Sequence, residues 1–522
     1  MKRKGTWLFR LLLLICFFFG GSCAGSGPEN DTGSPHDGDD DVDDDGIDDS
    51  DDDSECSFAP QATVTVQPPS EGNLLARQLI VATDSSCSLS GMVTAAGEPG
   101  FGPSSPVATD NGHAHSLWFY GLLENRKFDY TIYVKGCPEL VVAHGAFETP
   151  ALPFVAPRPF DVDDSHGADR RDWIAVVLNT IEVPAIQIVN YLVIMDREGR
   201  LRFFHELGEH SYAYSLIRFS NGDLATNETA IAFIRPNGFE SRLELHLTDP
   251  YFSPTHHSLY IEDYDSDMAV TLFNQLGPGL ECDLVTPTDM AVGDGIVEVD
   301  RHGNELWRWS MFDHQDELPP DQMQPWGCEK YFWGVDKYDW THANTIVPVP
   351  EQDAYLVSIR HLMRLIKVDR ATGEILWQMG EGLDFQWIGD EPEADQWFRF
   401  QHDAHWLPGE RILLFDNGNC RYDPDCGDGP YSRALELQID EAAMTVEKVW
   451  EFRVPFAEMR GAVCRHENGN TLIGSGWRTI GEQVAEADPD GNLVWTAKLP
   501  LVQQIAATIY YPAFWNYDAT LQ

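Results

Sequence analysis

The chain has 522 residues, with 84 acidic side chains against 35 basic ones and a formal net charge of −49. Nucleic-acid binding depends on clustered Lys and Arg, so this charge excludes a nucleic-acid-binding protein and disfavours attraction to anionic membrane surfaces. The 43% hydrophobic content suffices for a large core, and the 43 Gly and 32 Pro favour many short strands over long helices.

The first 22 residues have the pattern of an export signal. A basic stretch at Lys2–Lys4 precedes the apolar run Leu11–Phe19. As a helix this run would reach about 13 Å, far short of the roughly 30 Å of a bilayer core, so it is not a membrane span. Small residues at Gly20–Ser22 come directly before Cys23, an order that indicates a bacterial lipoprotein processing site with Cys23 as the lipidated residue. Secretion without lipidation is the alternative.

Residues 23–56 form a predicted disordered tether, because Asp37–Glu55 is nearly continuous acid that repels itself. Asp41, Asp43 and Asp45 follow the spacing of a calcium-binding loop. So acidic a run produces that spacing by chance, and a solvated tether is the favoured interpretation.

Disulfides are the default expectation for the cysteines of an exported chain. Cys420 and Cys426 lie six residues apart in a loop with Pro and Gly, and we expect them to pair with each other. Cys87 and Cys137 are candidates for a second disulfide. The chain contains no C-x-x-C pair, which argues against a zinc ribbon.

Residues 57–150 are predicted to form a small β-sandwich of the immunoglobulin or fibronectin III type. The segments ATVTV, RQLIVAT, HSLWFYGL and FDYTIYVKG read as short strands separated by Gly- and Pro-rich breaks. The pair His113 and His115 in this region is assigned to a strand edge or surface loop rather than to a metal site.

Residues 151–522 repeat a unit, and this repeat predicts a six-bladed β-propeller. Each unit contains a strand, an Asp/Gly turn and a strand that ends in an aromatic residue, as in MDREGRLRFF, VDRHGNELWRW and ADPDGNLVWTAK. Two hairpins per unit at 50–70 residues match propeller blades, and the degenerate copy from Ser241 brings the count to six. The predicted fold class is therefore all-β.

The innermost strands of propeller blades converge on a central axis. The residues that open these strands are Tyr214, His257, His342, His402 and the region of Gly461. Histidines at matching positions of three separate repeats favour a functional site over three unrelated core histidines.

Residues 57–522 resemble the bacterial arylsulfate sulfotransferase family. The segments that carry the resemblance are 339–346 (DWTHANTI), 355–380, 400–419 (FQHDAHWLPGERILLFDNGN) and 431–440. The resemblance implies a six-bladed propeller with an N-terminal β-sandwich. It also implies an enzyme of the periplasm that moves a sulfuryl group from a phenolic sulfate ester to another phenol, through a sulfohistidine and without a nucleotide sulfate donor.

By the same resemblance, His402 is the nucleophile. His342, Asn344 and Arg360 match the family's sulfate-binding positions, and His257 matches a further one. His405 is a second candidate imidazole, but strand alternation would point it away from the side that His402 faces.

The chemistry of these residue types agrees with sulfuryl transfer. A neutral imidazole can attack sulfur and divide the transfer into two steps. Arg and Asn side chains donate hydrogen bonds to sulfuryl oxygens, and other histidines can move the phenolic proton near neutral pH. A cationic pocket is required locally, because the net charge of −49 repels anions.

Other functions remain as alternatives. A non-catalytic, lipid-anchored propeller that binds a ligand is the main one, since a fold does not imply a function. A metal enzyme built on the same histidines is a weaker alternative, and we expect neither a metal nor a cofactor. The expected partners are aryl sulfates, phenols and the membrane, with a homodimer as a further option. The P-loop and G-x-S-x-G motifs are absent.

The lipid anchor can be tested by Cys23→Ser. If Cys23 carries the lipid, the variant should leave the membrane fraction for the soluble fraction, as measured by fractionation and immunoblotting. Cys16→Ser is the control, because Cys16 lies inside the removed signal. A Cys23→Ser protein that stays with the membrane would contradict the prediction.

Overall fold

The computed structural model describes the following residues: 23–24, 58–69, 72–95, 107–153, 160–164, 172–182, 187–209, 215–227, 229–249, 251–278, 290–319, 337–422, 429–476, 483–498 and 503–511. Almost all regular structure in them is β-strand, as the sequence predicts. The helices among them are a one-turn α-helix at Glu393–Gln396 and 3₁₀ turns at Met311–His314 and Pro350–Gln352. None of the helices described is long and apolar enough to cross a membrane.

The strands of the N-terminal part, over the described residues, are β1 (Cys23–Ala24), β2 (Ala62–Val66), β3 (Arg77–Cys87), β4 (Leu89–Ala95), β5 (Val107–Ala108), β6 (Gly112–Phe119), β7 (Lys127–Val134), β8 (Cys137–Glu148) and β9 (Asp161–Asp163). Next along the chain are β10 (Trp173–Glu182), β11 (Gln187–Met195), β12 (Leu201–Glu209), β13 (Leu216–Arg218), β14 (Leu224–Asn227), β15 (Ile231–Ile234), β16 (Glu240–Leu243), β17 (Ser253–Tyr260), β18 (Met268–Pro278), β19 (Met290–Asp300), β20 (Glu305–Ser310) and β21 (Lys337–Asp339). The remaining strands are β22 (Ala343–Val349), β23 (Ala354–Ile359), β24 (Arg364–Asp369), β25 (Ile375–Met379), β26 (Gln386–Trp387), β27 (His402–Leu407), β28 (Arg411–Asp416), β29 (Ser432–Asp440), β30 (Thr445–Val454), β31 (Ala462–Arg465), β32 (Thr471–Gly474), β33 (Gln483–Ala487), β34 (Leu493–Lys498) and β35 (Gln503–Tyr511).

Two antiparallel sheets form the N-terminal part. One has the order β2-β3-β6 and the other the order β5-β4-β7-β8. Their alternating side chains enclose an apolar cluster that includes Leu79, Leu117 and Phe128, each fully buried. His113 and His115 lie in β6, an edge strand of the first sheet, as expected, and His113 is exposed. His115 is instead buried, with 4% exposure, and its Nδ1 lies 2.8 Å from Thr109 Oγ1.

Six further sheets follow within the described residues, and we number them in chain order. Sheet 1 has the order β12-β11-β10-β35, and sheet 2 has β13 to β16 with β1 beside β13. Sheet 3 has β17 to β20 with β21 beside β19, and sheet 4 has β22 to β25. Sheet 5 has β27 to β30 with β26 beside β30, and sheet 6 has β31 to β34 with β9 beside β34.

Apolar clusters join each of these sheets to the next. Clusters of buried residues lie between sheets 1 and 2, 2 and 3, 3 and 4, 4 and 5, and 5 and 6. A further cluster joins sheet 6 to sheet 1, with Trp495 and Leu472 packed against Ile174 and Val193. The sheets therefore make a closed ring. Closure buries the apolar faces that sheets 1 and 6 would otherwise expose.

The two ends of the chain close the ring. β35 pairs antiparallel with β10, so that Trp173 lies opposite Tyr511 in sheet 1. β9 pairs with β34, which places Asp163 opposite Thr496 in sheet 6. Each closing sheet combines strands that are remote in sequence, so neither sheet is complete without strands from both parts of the chain.

The recurring Asp/Gly motif is a turn between the third and outermost strands of its sheet. Asp300 Oδ1 accepts hydrogen bonds from the backbone N–H groups of His302 and Asn304 at 2.8 Å each. Gly303 has φ +79°, a left-handed conformation that glycine adopts without a steric penalty. In sheet 2 the copy assigned from Ser241 is displaced, because Ser241 already lies inside β16 and the turn precedes it.

The N-terminal sheets contact the ring through a close backbone approach. Asn73 Nδ2 donates to Pro236 O at 2.8 Å, and His205 Nδ1 lies 2.8 Å from Gly72 O. A Cβ on Gly72 would lie 1.9 Å from Gly238 O, so any larger residue there forces the two parts away from each other.

The disulfide expected between Cys87 and Cys137 is not formed. Cys87 is 2% exposed within the apolar cluster of the N-terminal sheets, whereas Cys137 is half-buried at the start of β8. Cys420 is disulfide-bonded, as is Cys464. Cys426 lies outside the described residues, so its pairing with Cys420 stays a prediction.

Asp416 at the end of β28 holds two arginines inside sheet 5. Its Oδ2 accepts from Arg433 Nε at 2.8 Å and from Arg421 Nη2, and its Oδ1 accepts from Arg399 N at 2.9 Å. The side chains of Asp416, Arg421 and Arg433 are fully buried. Removing one partner of such a group leaves charge in the interior without compensation.

We therefore expect Asp416→Asn to destabilise the protein by about 3 kcal/mol, at the lower end of the range for breaking a buried ion pair. The variant keeps the side-chain shape and removes the charge. The matched control is Asp390→Asn at an exposed position, which should change stability by less than about 0.5 kcal/mol. Equal melting temperatures for the two variants would show that the Asp416 group contributes little.

Candidate functional site

Three histidines lie at the inner ends of sheets 3, 4 and 5. His257 lies within β17, His342 directly precedes β22 and His402 begins β27. The backbone is left-handed at His257 (φ 56°), at His342 (φ 46°) and at Asp403 (φ 52°). The strand register shifts at the same places. Left-handed residues other than Gly cost on the order of 1–3 kcal/mol each and cluster at functional sites, where they redirect side chains.

His257, His342 and Asp339 form a hydrogen-bonded chain. His342 Nδ1 lies 2.5 Å from Asp339 Oδ2, and His342 Nε2 lies 3.1 Å from His257 Nε2. The Asp339 carboxylate accepts, so the Nδ1 of His342 carries the hydrogen and its Nε2 accepts from His257. The His257 side chain is completely buried, and His342 is 5% exposed. A proton can therefore pass along the hydrogen bonds from His257 through His342 to Asp339.

His361 packs on the other side of His342. Their ring centroids are 4.7 Å apart and their planes differ by 23°. His361 Nδ1 donates to Asp339 O at 3.0 Å. The bond to the Asp339 carbonyl fixes the ring of His361. The stacked ring of His361 then holds the plane of His342.

His256 approaches the same group from β17. Its Nδ1 lies 2.6 Å from Asp294 Oδ1, and its ring lies 4.1 Å from the His257 ring and 5.4 Å from the His342 ring. Asp294 also accepts from the Asn274 side chain at 2.7 Å and from the Ala343 backbone at 2.6 Å. These bonds fix Asp294, so His256 has one orientation.

His402 has one ring nitrogen fixed by an amide. Its Nδ1 lies 2.7 Å from Asn417 Oδ1 and 3.2 Å from Phe400 O. The Nδ2 of Asn417 donates to the carbonyls of Ala457 at 2.9 Å and Arg460 at 2.8 Å. Carbonyls only accept, so the amide of Asn417 has a single orientation and presents its oxygen to His402. The Nδ1 of His402 therefore carries the hydrogen, and its Nε2 has the lone pair.

Arg360 and Asn344 lie beside His402. The guanidinium carbon of Arg360 lies 5.0 Å from the centre of the Phe400 ring, and its Nη2 donates to Glu458 O at 3.4 Å. Asn344 Nδ2 donates to Gln401 O at 2.7 Å and so holds the backbone that precedes His402. Both side chains are buried, at 5% and 1% exposure.

Burial keeps the imidazoles neutral. Desolvation lowers the pKa of His402 to about 3, and the positive charge of Arg360 adds to this. Desolvation also lowers the pKa of His361 to about 4, although the charge of Asp339 opposes the shift. Burial holds the pKa of His342 well below its ordinary value, and His361, His256, Arg360 and His402 lower it further. At neutral pH the site therefore offers unprotonated imidazole nitrogens beside a fixed guanidinium.

The residues selected from the sequence come together in part. His257 and His342 share a hydrogen bond, and His402 acts electrostatically on His342. Gly461, with φ +111°, packs against Phe415, the residue paired with His402. Tyr214 lies outside the described residues.

His405 takes a different position from His402. Its Nε2 lies 3.1 Å from Asp403 Oδ1 and its side chain is 12% exposed. The register shift between His402 and His405 adds a residue to the strand, so simple alternation does not decide where His405 points.

Sequence reasoning missed several residues of the site. Asp339 lies three residues before His342 in the segment DWTHANTI, where a carboxylate beside a histidine was a usable signal. Asn417 lies in FDNGN, which was noted only as part of a matching segment. His361 and Asp294 had no usable signal, because their partners are brought to them by other strands of the ring.

Two overlapping groups of the described side chains have the geometry to hold a metal ion. One is His256, His257 and His342, and the other is Asp339, His342 and His361. In each group one ligand atom per residue lies within 4.8 Å of the others, and every member is buried. His257 and His342 belong to the histidines of the weaker metal-enzyme alternative, whereas His256, Asp339 and His361 were not among the residues selected from the sequence.

The neutral buried histidines make stability depend on pH. The folded pKa of His361 is about 4 against roughly 6.5 in an unfolded chain, so between these values the unfolded chain binds a proton that the folded chain does not. Stability is therefore complete above about pH 6.5 and falls with acidification, by up to about 1.4 kcal/mol per pH unit for each such histidine.

We expect His361→Gln to reduce this slope, measured by urea unfolding at several pH values from 7 to 4.5. His302→Gln, at an exposed turn position, is the control and should keep the slope of the wild type. A slope unchanged by His361→Gln would contradict the inferred state of His361.

No curated protein matches this chain. Several solved structures are similar to it at low identity. One, a protein of unknown function from Bacteroides caccae, has a TM-score of 0.40, 12% identity and coverage of 66% of this chain and 100% of that one. Another, a catalytically inactive virginiamycin B lyase from Staphylococcus aureus with quinupristin, has a TM-score of 0.32, 8% identity and coverage of 66% and 89%.

The family comparison covers most of the ring. The model of the family described as Arylsulfotransferase (ASST) matches residues 177–498, which is more than half of the chain and spans β10 to β34 except the first few residues of β10. His257, His342, Arg360 and His402 all lie within the match. This chain belongs to the arylsulfotransferase family.

Proposed function

We propose that this protein is an arylsulfate sulfotransferase that moves a sulfuryl group between phenols through a sulfohistidine on His402, without a nucleotide sulfate donor. The observation that carries the proposal is the fixed, neutral imidazole of His402, whose Nδ1 bonds to Asn417 while its Nε2 keeps the lone pair. Membership of the arylsulfotransferase family supports the class of reaction.

In the first half of the cycle, the Nε2 lone pair of His402 attacks the sulfur of the aryl sulfate. The N–S bond forms, the bond between sulfur and the phenolic oxygen breaks, and the phenoxide leaves with the electron pair. The hydrogen on Nδ1 of His402 stays on the ring and remains hydrogen-bonded to Asn417 Oδ1. This bond stabilises the positive charge that develops on the ring. In the second half, an acceptor phenol attacks the same sulfur, the N–S bond breaks and His402 is restored.

Protons move through the histidine chain beside His402. Phenols have a pKa near 10, so the leaving phenoxide needs a proton and the attacking phenol must lose one. His257, His342 and Asp339 are joined in sequence by hydrogen bonds, and we assign them the transfer in both directions. The same chain serves both halves because donor and acceptor are chemically alike.

Arg360 and Asn344 complete the assignment as sulfuryl-binding residues. A buried guanidinium offers forked donors to sulfuryl oxygens and offsets the repulsion of anions by the net charge of −49. The bond between Asn344 and Gln401 links the sulfuryl site to the backbone that positions His402.

We also propose the finer architecture and location. The six sheets joined in a ring are the blades of a β-propeller, and the two N-terminal sheets form an immunoglobulin or fibronectin III type sandwich. The lipid on Cys23 would hold the enzyme at the bacterial cell envelope. Cys23 and Ala24 pair with β13 in sheet 2, where the sequence predicts a disordered tether, so the anchored form would have to release this pairing. A non-catalytic binding propeller is the second candidate, and the experiment below separates the two.

His402→Ala should lower the rate with a chromogenic aryl sulfate and a phenol acceptor by several orders of magnitude, because the covalent route is removed. His257→Ala and His342→Ala should lose less, since they move protons. His405→Ala is the matched control, two residues beyond Asp403, and should keep most of the activity.

Donor given without acceptor should add the mass of a sulfuryl group to the peptide with His402 and His405. The added mass should persist in His405→Ala and vanish in His402→Ala. Full activity of His402→Ala, or modification of His405 instead, would contradict the assignment. A folded wild-type protein that turns over no aryl sulfate would favour the binding propeller.

A further inference from the structure

His256, His257 and His342 place three buried imidazoles around one point. One ring nitrogen from each lies within 4.8 Å of the others. The Nε2 atoms of His257 and His342 are 3.1 Å apart, close to the separation of two nitrogens that each lie about 2.0–2.1 Å from one tetrahedral ion. The three rings meet edge to face, with centroids 4.1 to 5.4 Å apart. A transition metal could thus bind all three with only small movements.

The environment of the three rings also suits a metal. His256 Nδ1 bonds to the carboxylate of Asp294, and His342 Nδ1 bonds to the carboxylate of Asp339. Each of these contacts fixes the far nitrogen of the ring and leaves Nε2 as the ligand. Histidines bound to zinc typically have such a carboxylate on the other nitrogen, which orients the ring and raises its basicity.

From this geometry we propose that His256, His257 and His342 form a binding site for a zinc-like transition dication. Three imidazole ligands suit zinc and related ions, whereas calcium and magnesium prefer oxygen ligands. Protons compete with the ion for the imidazole nitrogens, so affinity decreases with acidification. Three protein ligands leave a fourth position open for a water or an anionic oxygen.

The proposal concerns metal binding and does not depend on sulfuryl transfer. His257 and His342 are both proposed metal ligands and members of the proton-transfer chain. The ion and the proton-transfer chain therefore cannot be present together. If the proposed sulfotransferase activity is correct, the ion inhibits it. A protein that binds zinc and transfers no sulfuryl group would leave this proposal intact. A protein that transfers sulfuryl groups and binds no zinc would refute this proposal alone.

The test is zinc titration of the full-length protein after chelation, followed by desalting and elemental analysis. Excess Ca²⁺ in the buffer occupies the acidic carboxylates of residues 37–55, which would otherwise bind zinc adventitiously. We expect about one zinc per chain, as a site of three histidines predicts. Co²⁺ in place of zinc should give the visible absorption of tetrahedral coordination.

Variants identify the ligands. His256→Gln and His342→Gln should weaken zinc binding by at least about a hundredfold, and Asp294→Asn by about 10- to 100-fold. The matched control is His205→Gln, since His205 is also buried and bonds to a carboxylate, that of Glu240 at 2.8 Å, in sheet 1 away from the three rings. It should bind zinc like the wild type. Circular dichroism spectra of each variant report whether it is folded.

Absence of stoichiometric zinc from the wild type would overturn the proposal, as would wild-type affinity in folded His256→Gln and His342→Gln. If these variants fail to fold, the Co²⁺ spectrum of the wild type decides. Absorption typical of octahedral coordination, or none, would then overturn it.

Discussion

The hydrogen bond between Asn417 and His402 determines which nitrogen of the histidine is reactive. Two backbone carbonyls hold the Nδ2 of Asn417, so its oxygen has no alternative orientation. The oxygen accepts from His402 Nδ1 at 2.7 Å, and this leaves Nε2 unprotonated. Burial then keeps the ring from taking a second proton, because desolvation and Arg360 lower its pKa to about 3. One amide thus fixes the tautomer and orientation of His402, as the nucleophilic role proposed for it requires.

The surrounding fold holds Asn417 and His402 in place through a buried charged group and a strained backbone. Asn417 directly follows Asp416, whose ion pairs with Arg421 and Arg433 hold the end of β28 inside sheet 5. Left-handed residues at His257, His342 and Asp403 are strained on their own and persist because the ring packs around them. The closed ring brings strands from sheets 3, 4 and 5 to one place. The guanidinium of Arg360 places a positive charge near His402, in a protein whose net charge is −49.

The sequence was sufficient to predict the β-strands and the proximity of His257 and His342, since both depend on short patterns that repeat. The Asp/Gly turn is local, and the carboxylate of Asp300 and the left-handed Gly303 account for it without tertiary contacts. His257, His342 and His402 occupy matching positions in three repeats, and the ring places them together.

Contacts between remote residues could not be predicted. Asp294 bonds to His256 across 38 residues, and nothing in either segment indicates the pairing. The alternation argument for His405 fails at a strand bulge, because an inserted residue changes the side that later residues face.

The most direct measurement is a crystal structure of the protein after exposure to an aryl sulfate without acceptor. The account predicts a sulfuryl group bonded to Nε2 of His402, with Nδ1 still bonded to Asn417 Oδ1 and the guanidinium of Arg360 against the sulfuryl oxygens. A sulfuryl group on Nδ1 of His402, on another histidine, or absent from a protein that turns over aryl sulfates would contradict it.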